Sequence, residues 1–286
     1  MREGKIIAKT PLDKKINLTH KIGFSRKQLC IPYGLFLALF VVLPLLLVVY
    51  YAFTGEDGSF TFSNFIAFFG DTTKISTLFI SVLVSVAVTA ICLLIAYPVA
   101  YILSRMKGTV AMVFLLLFVT PMWINFVLRA MAMKELLSLI GLPLGNFANL
   151  IGLTYDFLPF MVLPIYSTLI KMDRSLEEAA LDLGANKVKV FTDITLPLSM
   201  PGIISGATMV FLPVMSCYVV TDAFSGSTGF TVIGKLIAWC FLGEGGTLSD
   251  VHGGATISLV MLVILFVTML LTGGFKNEDG VRGTNL

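Results

Sequence analysis

Residues 75–103 read ISTLFISVLVSVAVTAICLLIAYPVAYIL, a run of 29 residues without Asp, Glu, Lys, Arg or His. About 20 mostly apolar residues in a helix are enough to cross the hydrocarbon core of a bilayer. Backbone polar groups find no water inside lipid, and a helix satisfies them within its own segment. The stretch therefore predicts a transmembrane helix and sets the fold class as an all-α integral membrane protein.

Five further stretches are long and apolar enough to span a membrane, or nearly so. They are residues 29–53, 109–128, 150–170, 201–221 and 255–272. Across all six stretches, Asp156 is the only acidic or basic side chain. We predict six transmembrane helices, arranged as a basic tail (1–28), a first helix (29–53), a core of five helices (75–272) and a second tail (273–286).

The overall composition excludes several classes of protein. Hydrophobic residues make up 57% of the 286-residue chain and charged residues only 13%, with a mean hydropathy of +0.93 and a net charge of +3. A soluble domain or a disordered chain needs more polar residues, and a nucleic-acid-binding protein needs more positive charge. The four cysteines lie in or beside apolar runs without a CxxC pair, so we interpret them as small buried hydrophobes: Cys30, Cys92, Cys217 and Cys240.

Lys and Arg residues are distributed unevenly between the two sets of predicted loops. Sixteen of the 20 fall in the two tails and in the loops after the second and fourth spans. The other four fall on the opposite side: Lys74, Arg129, Lys134 and Lys235. Since cytoplasmic loops carry the excess of basic residues, both termini are predicted to be cytoplasmic, in a multi-pass protein of the plasma or inner membrane. The basic tail would also attract anionic lipid.

No catalytic arrangement is evident in the sequence. Residues 229–236, GFTVIGKL, nearly match a phosphate-binding P-loop, but Leu236 replaces the Ser or Thr that would bind magnesium. The two histidines, His20 and His252, fall in a tail and a loop on opposite sides of the membrane. The sequence supplies no nucleophile with a matching base, so we predict a protein that is not an enzyme, with no cofactor and no metal site.

Residues 171–200, KMDRSLEEAALDLGANKVKVFTDITLPLSM, form the longest predicted cytoplasmic loop. Ser175 and Glu178 have the spacing of a capping box, which predicts a helix over 176–183. Gly184 predicts the end of that helix because glycine tolerates positive φ, and a second helix is expected from about Asn186 to near Pro197. One face of the first helix, the loop face, is small and partly apolar: Leu176, Ala179, Ala180 and Leu183.

The loop matches in full the EAA motif of ABC-importer permeases. The matching residues are Glu178, Ala179, Ala180, Gly184, Ile194, Leu196 and Pro197. Further matches are AYPVAY at 96–101, TPMWIN at 120–125, LPFMVLP at 158–164 and LPLSMPG at 196–202. Over about residues 29–272 the chain thus resembles these permeases, and within them the spermidine/putrescine branch of PotB-like permeases.

The resemblance implies a type I importer fold and a set of partners. The chain would form the translocation path with a second, PotC-like permease subunit. The EAA loop (171–200) would dock on a cytoplasmic ABC ATPase homodimer through the motif residues. A polyamine-binding protein outside the membrane would deliver the substrate. Without an ATP site of its own, the chain would depend on the ATPase for energy.

A polyamine is a flexible polycation, so its path is expected to offer carboxylates and aromatic faces. Asp156 lies in the outer part of the fourth predicted span, where an acid is costly and usually faces a cavity. Asp222 ends the fifth predicted span, where an acid is also common for structural reasons alone. The aromatic candidates are Tyr155, Trp123, Tyr218 and Trp239. Aromatic residues near a membrane boundary also serve as simple interface anchors.

Several alternatives stay open. Glu178 and Gly184 could serve only as helix caps, and Gly202 and Gly206 only as a close-packing pair. Residues 229–242 are too short to span and predict a surface or re-entrant helix, with Glu244 and Asp250 behind it as a binding-protein contact or a solvated acidic rim. The cargo could be ferric iron, thiamine or sulfate. A self-contained secondary carrier would need acids in several spans, which the sequence lacks.

Overall fold

The computed structural model describes residues 26–225, 229–243 and 249–271. Regular structure within these ranges is helical, apart from an isolated antiparallel bridge between Thr54 and Phe60. The α-helices are α1 (Arg26–Leu37), α2 (Leu43–Ala52), α3 (Ser63–Gly70), α4 (Thr72–Arg105), α5 (Gly108–Val119), α6 (Phe126–Leu139), α7 (Asn146–Leu169), α8 (Ser175–Asp182), α9 (Lys187–Val190), α10 (Leu196–Ser216), α11 (Tyr218–Ser225), α12 (Ile233–Leu242) and α13 (Val251–Leu271). The predicted all-α fold class is confirmed.

Within the described ranges, five helices are long and apolar enough to cross a membrane. They are Ile31–Ala52, Thr72–Arg105, Asn146–Leu169, Lys187–Ser216 and Val251–Leu270. A bent pair, Gly108–Trp123 with Phe126–Leu139, brings the number to six if it counts as one span. The predicted spans at 29–53, 75–103, 150–170 and 255–272 therefore each fall on one long helix. The two predicted spans at 109–128 and 201–221 differ from the structure.

The third predicted span is not one straight helix over 109–128. The α5 helix ends at Val119, a 3₁₀ turn follows at Thr120–Trp123, and α6 leaves at an angle of 101°. Pro121 lies in that turn, where its missing N–H interrupts the helical ladder. The backbone is extended at Ile124, and the Asn125 side chain caps α6 by accepting a 2.9 Å hydrogen bond from the Val127 N–H.

The fifth predicted span begins and ends earlier than residues 201–221. It is part of one helix from Lys187 to Ser216, which stops at the non-helical Cys217. The short α11 begins at once after this break and packs on α6 and α7. Phe224 of α11 is fully buried against Gly152 of α7, where a β-carbon would collide with the ring.

The chain divides into two compact units, Met1–Leu47 and Val48–Leu286. In the first unit, the described part is the helix from Arg26, which contains a π-helical turn at Ala38–Val42. In the second unit, the core lies where α4, α7 and α10 pack together. Its fully buried side chains include Val88, Ala96, Met161, Val162, Val210 and Val214.

Two glycines let α10 approach α7 closely. A β-carbon on Gly202 would lie 2.9 Å from the Pro164 carbonyl oxygen, and one on Gly206 would lie 2.8 Å from the Met161 sulfur. Small residues at such positions allow helix backbones to pack tightly in a membrane. The close-packing interpretation of this pair is therefore confirmed.

The short helix α12 reaches into the bundle. The Ile233 N–H donates a 2.7 Å hydrogen bond to Ser81 of α4, and both residues are fully buried. Gly234 lies directly against the Ser216 carbonyl group at the end of α10. This placement agrees with the re-entrant interpretation of residues 229–242. The Asp250 carboxylate accepts a 2.7 Å hydrogen bond from the Gly253 N–H at the start of α13, and Glu244 lies outside the described residues.

The cysteines that the structure describes are free thiols. Cys92 is fully buried, with its sulfur 3.7 Å from the Thr154 carbonyl oxygen, while Cys217 and Cys240 are partly buried. The side chain of Cys30 lies outside the described residues. The interpretation as buried hydrophobes is confirmed for Cys92 and holds in part for the other two.

Candidate functional site

The first helix of the EAA loop does not use the predicted capping box. Ser175 lies inside the first turn of α8, and Glu178 is exposed. The Asp173 carboxylate takes the capping role by accepting a 2.9 Å hydrogen bond from the Ser175 N–H. That backbone hydrogen bond holds the pKa of Asp173 below its ordinary value. A charged acceptor makes the stronger cap, which is the physical reason for the shift by two residues.

The end of α8 is as predicted. Gly184 has φ +86°, in the left-handed region. Its N–H donates to the Leu181 carbonyl at 2.9 Å, and the Ala185 N–H donates to the Ala180 carbonyl at 3.0 Å. These two bonds form a Schellman motif, which turns the chain sharply after the helix.

The loop face is exposed. Leu176 and Leu183 are 49% and 89% accessible, and Ala179 is also exposed, while Ala180 is partly covered. The face projects from the loop rather than into the core, which leaves both leucine side chains exposed to water. Exposing two large aliphatic side chains to water is costly. Such a face is suited to a groove on a partner protein.

Glu177, which the sequence analysis did not single out, faces the opposite way. Its side chain is only 10% exposed and pairs with the guanidinium of Arg105 at the end of α4. Thr195 donates a second hydrogen bond to the same carboxylate at 2.8 Å. Close by, Arg174 donates to the Ser104 carbonyl at 2.6 Å. Glu177 therefore joins α8 to both α4 and the helix that continues into α10.

The ionisation state of Glu177 follows from this environment. Burial alone disfavours the charged carboxylate, but the hydrogen bonds from Arg105 and Thr195 outweigh it. The pKa of Glu177 consequently lies below its ordinary value. At neutral pH the bridge is an ion pair.

The second half of the EAA loop is not a separate helix ending near Pro197. The α9 helix begins at Lys187, where the Asn186 side chain accepts a 2.7 Å hydrogen bond from the Lys189 N–H. It runs through a π-helical turn at Phe191–Thr195 into α10. There the Leu196 N–H donates to the Phe191 carbonyl, five residues earlier instead of the four of an α-helix. The helix is therefore wider by one residue in the turn just before Pro197. The proline then falls in the first turn of α10, where its missing N–H is tolerated.

Aromatic contacts fix this π-helical turn to α4. The Phe191 ring meets Tyr97 and Tyr101 edge-on, with ring centroids 5.6 and 5.8 Å apart. The Tyr97 hydroxyl lies 3.0 Å from the Ser199 hydroxyl. Ile194 and Leu196 of the motif are partly buried in this region, and Pro197 is exposed. The second half of the motif thus forms the root of the fifth span.

The substrate-path candidates all lie near the breaks in the third and fifth spans or on the neighbouring helices. Asp156 is 1% exposed and forms an ion pair with Arg129, with 2.5 Å between Oδ1 and Nε. Arg129 also donates to the Asp156 carbonyl oxygen at 3.1 Å and lies 5.8 Å from the Tyr155 ring centroid. The sequence analysis gave Asp156 no partner, and in the structure its partner is Arg129. The bend at Pro121 carries Arg129 away from the predicted outer loop and buries it beside α7.

A cavity of about 170 Å³ lies next to this pair, and its lining includes Pro121, Arg129, Tyr155 and Pro159. The second carboxylate oxygen of Asp156 has no hydrogen-bond partner among the described residues. Trp123 is 83% exposed at the break itself. Arg129 thus contacts both Tyr155 and Asp156, while Trp123 is an exposed surface side chain.

A second group forms between α11 and α12. Asp222 pairs with Lys235, and the Lys235 ammonium lies 5.1 Å from the centroid of the Trp239 ring. Tyr218 is partly buried at the start of α11. Asp222 does not end the fifth span, since that span stops at Ser216. The sequence analysis counted Lys235 only as a loop charge and missed its role as the link between two candidate residues.

Comparison with known proteins points to the same architecture. No protein-family model matches the chain. The fold is similar to a bacterial alginate ABC transporter solved in complex with an alginate pentasaccharide-bound periplasmic protein. The TM-score is 0.66 at 16% identity, covering 91% of this chain and 96% of that one. The predicted ABC-importer permease fold is confirmed.

Two curated relatives carry the comparison further. Over 258 residues the chain is 34% identical to the spermidine/putrescine transport system permease protein PotB of Escherichia coli (strain K12), covering 82% of this chain and 92% of that relative. It is 35% identical over 254 residues to PotB of Haemophilus influenzae (strain ATCC 51907 / DSM 11121 / KW20 / Rd), covering 80% and 88%. These relatives are membrane transport subunits rather than enzymes. At this identity over most of its length, the chain belongs to the PotB family of ABC-transporter permeases.

Proposed function

We propose that the chain is the permease subunit of an ATP-driven importer that carries polyamines such as spermidine and putrescine. The observation that carries this proposal is the 34% identity over 258 residues to a permease named for that substrate. Arg129 contacts both Asp156 and Tyr155, and Lys235 contacts both Asp222 and Trp239. Carboxylates and aromatic faces that hold these cations are also the groups that bind ammonium. The chain would form the path together with a second, PotC-like permease subunit.

The loop face is the proposed docking surface for a cytoplasmic ATPase dimer. Its exposed leucines, at positions 176 and 183, would enter a groove of the ATPase. Glu178 lies exposed beside them and is free to pair with a basic residue of that partner. The Schellman turn at Gly184 sets the angle at which α8 projects. A binding protein on the other side of the membrane would present the substrate.

Transmission of ATPase movement to the spans would use two connections. The first is the continuous helix Lys187–Ser216, which runs from the loop through the core. The second is the Glu177 bridge, which ties α8 to the end of α4. Since α4, α7 and α10 pack as one core, a tilt of α8 would move them together as a rigid body.

The basic residues of the chain support an orientation with both termini in the cytoplasm. Under this orientation the EAA loop faces the ATPase, and α11, α12 and the bend at Pro121 face outward. Asp222, Trp239 and Trp123 then lie near the outer entrance, and Asp156 lies deeper.

The test is transport by the purified complex. The chain, a second permease subunit and the ATPase are reconstituted in proteoliposomes with a binding protein, and uptake is measured against a panel of solutes. We expect uptake and ATPase stimulation with spermidine or putrescine, and none with ferric iron, thiamine or sulfate. Uptake of one of these three with no response to polyamines would overturn the substrate assignment and leave the importer architecture in place.

A further inference from the structure

Asp222, Trp239 and Lys235 together have the composition of an occupied ammonium site. A carboxylate on α11 and an indole ring on α12 contact the same group, which is the primary ammonium of Lys235. A carboxylate and an aromatic face are the two protein groups that best hold an alkylammonium ion. Each end of a polyamine such as putrescine is also a primary ammonium on an alkyl chain.

The helices α11 and α12, which carry Asp222 and Trp239, are held rigidly in the bundle. The Lys235 side chain, in contrast, is flexible. On α11, Phe224 is fully buried against Gly152. On α12, Ile233 is fixed to Ser81, and Gly234 leaves no room between its backbone and Ser216. Displacement of the lysine side chain therefore requires only rotation about its own four-carbon stem.

The pair is accessible enough for exchange. The Asp222 side chain is 57% exposed and that of Lys235 is 23% exposed, whereas in the other pair Arg129 is 6% exposed and Asp156 is 1% exposed. An exposed ion pair is weak and a buried one is costly to open. Of these two pairs, Lys235–Asp222 is the one that an incoming ammonium can open.

We infer that Lys235 is a tethered occupant of an ammonium site formed by Asp222 and Trp239, and that an ammonium group of the transported polyamine displaces it. The inference rests on the proposed function and adds a contact site to it. The exchange keeps the site neutral, because one ammonium leaves as another enters. The freed Lys235 swings into water, where its charge is fully solvated.

Equilibrium binding of spermidine to the assembled complex in nanodiscs, without the binding protein, tests this inference. Lys235→Gln removes the occupant, so we expect spermidine to bind about two- to five-fold more tightly than to the wild type. Asp222→Asn and Trp239→Leu are expected to weaken binding. Lys235→Arg keeps a cation in place and serves as the matched control, with affinity near that of the wild type.

The opposite effects of Lys235→Gln and Asp222→Asn on spermidine affinity distinguish a displaceable occupant from a structural brace. A brace would make Lys235→Gln and Asp222→Asn weaken binding together, and that result would overturn the inference. Equal affinity in wild type and Lys235→Gln, or no binding by either, would also overturn it. Lys235→Met is a second variant in case the Gln protein assembles poorly. Spermidine uptake by the wild type in the same preparation tests the proposed function separately.

Discussion

The left-handed backbone at Gly184 joins the two helical parts of the EAA loop, and the space around it is empty. A β-carbon there would meet no atom within 4 Å, so the cost of a substitution is conformational rather than steric. A non-glycine residue in this region costs about 1–2 kcal/mol, less for Asn and more for a β-branched residue. The angle of α8 therefore depends on a single residue.

We expect Gly184→Val to reduce uptake per assembled complex and to weaken its coupling to ATP hydrolysis. Gly184→Asn, the matched control, keeps access to the left-handed region and should retain most activity. Membrane abundance of both variants should stay near that of the wild type, since the spans are unaffected. Normal uptake by the Val variant would show that the loop does not need this turn.

The buried pair of Arg129 and Asp156 predicts a large loss of stability when one partner is removed. Asp156→Asn leaves the guanidinium of Arg129 unpaired in a buried site, which costs about 3–5 kcal/mol. The double variant Arg129→Met with Asp156→Leu removes both charges and should recover much of that loss. Thermal unfolding and the yield of assembled complex measure both effects. Additive losses in the double variant would contradict the pairing.

Uptake per assembled complex separates this structural role from substrate binding at Asp156. If the carboxylate also contacts a passing polycation, the double variant should assemble well and still transport poorly. If it only braces α6 against α7, uptake per complex should be unchanged in the double variant. The latter result would remove Asp156 from the proposed path.

At the scale of elements, the Glu177 bridge gives α8 a pH dependence with a defined sign. The pKa of Glu177 is below its ordinary value of 4.5, so the ion pair stabilises the folded chain above that value. The contribution is lost as the pH falls through the lower folded-state pKa. Because the bridge is partly exposed, its contribution is expected to be about 1–2 kcal/mol.

Comparison of wild type with Glu177→Gln isolates this contribution. The difference in melting temperature between the two should be constant from pH 8 down to about pH 5, and it should shrink as the pH falls further. We also expect Glu177→Gln to hydrolyse more ATP per solute imported. A melting difference that grows toward acid pH would contradict the assignment.

The close approach of α10 to α7 predicts an order among glycine substitutions. Gly202→Ala places a methyl group against the fixed carbonyl oxygen of Pro164 and is expected to be strongly destabilising. Gly206→Ala chiefly meets the flexible side chain of Met161, so its cost should be smaller. Gly108→Ala, where a β-carbon meets nothing within 4 Å, is the control. The yield of folded protein measures all three, and equal yields would contradict the packing argument.

The element boundaries show which features are local enough to be predicted. Apolar length alone places the second span, and glycine chemistry alone places the turn at Gly184. The angle of the bend at Pro121 could not be predicted from the sequence, because many membrane helices continue through a proline. The partner of Asp156 was missed for that reason. Glu177 was missed because its partner Arg105 is 72 residues away in the chain.

At the scale of the whole molecule, the orientation in the membrane decides whether the EAA loop can meet an ATPase at all. In the folded chain, residue 59 lies in the connection between α2 and α3, and residue 187 begins α9. Both positions are exposed, so single cysteines there should react with a membrane-impermeant thiol reagent when it has access. The four native cysteines would first be replaced and uptake confirmed.

With both termini in the cytoplasm, Ser59→Cys should label in intact cells and Lys187→Cys only after permeabilisation. The expectation follows from the sixteen basic residues assigned to one side and four to the other. Ser138→Cys, at the exposed end of α6, should follow Ser59→Cys, because the bend at Pro121 keeps α6 from returning to the loop side. Labelling of Lys187→Cys in intact cells would place the EAA loop outside and refute ATPase docking. Labelling of Ser138→Cys only after permeabilisation would mean that the bent pair returns to the loop side, and it would contradict the placement of α6 on the outer side.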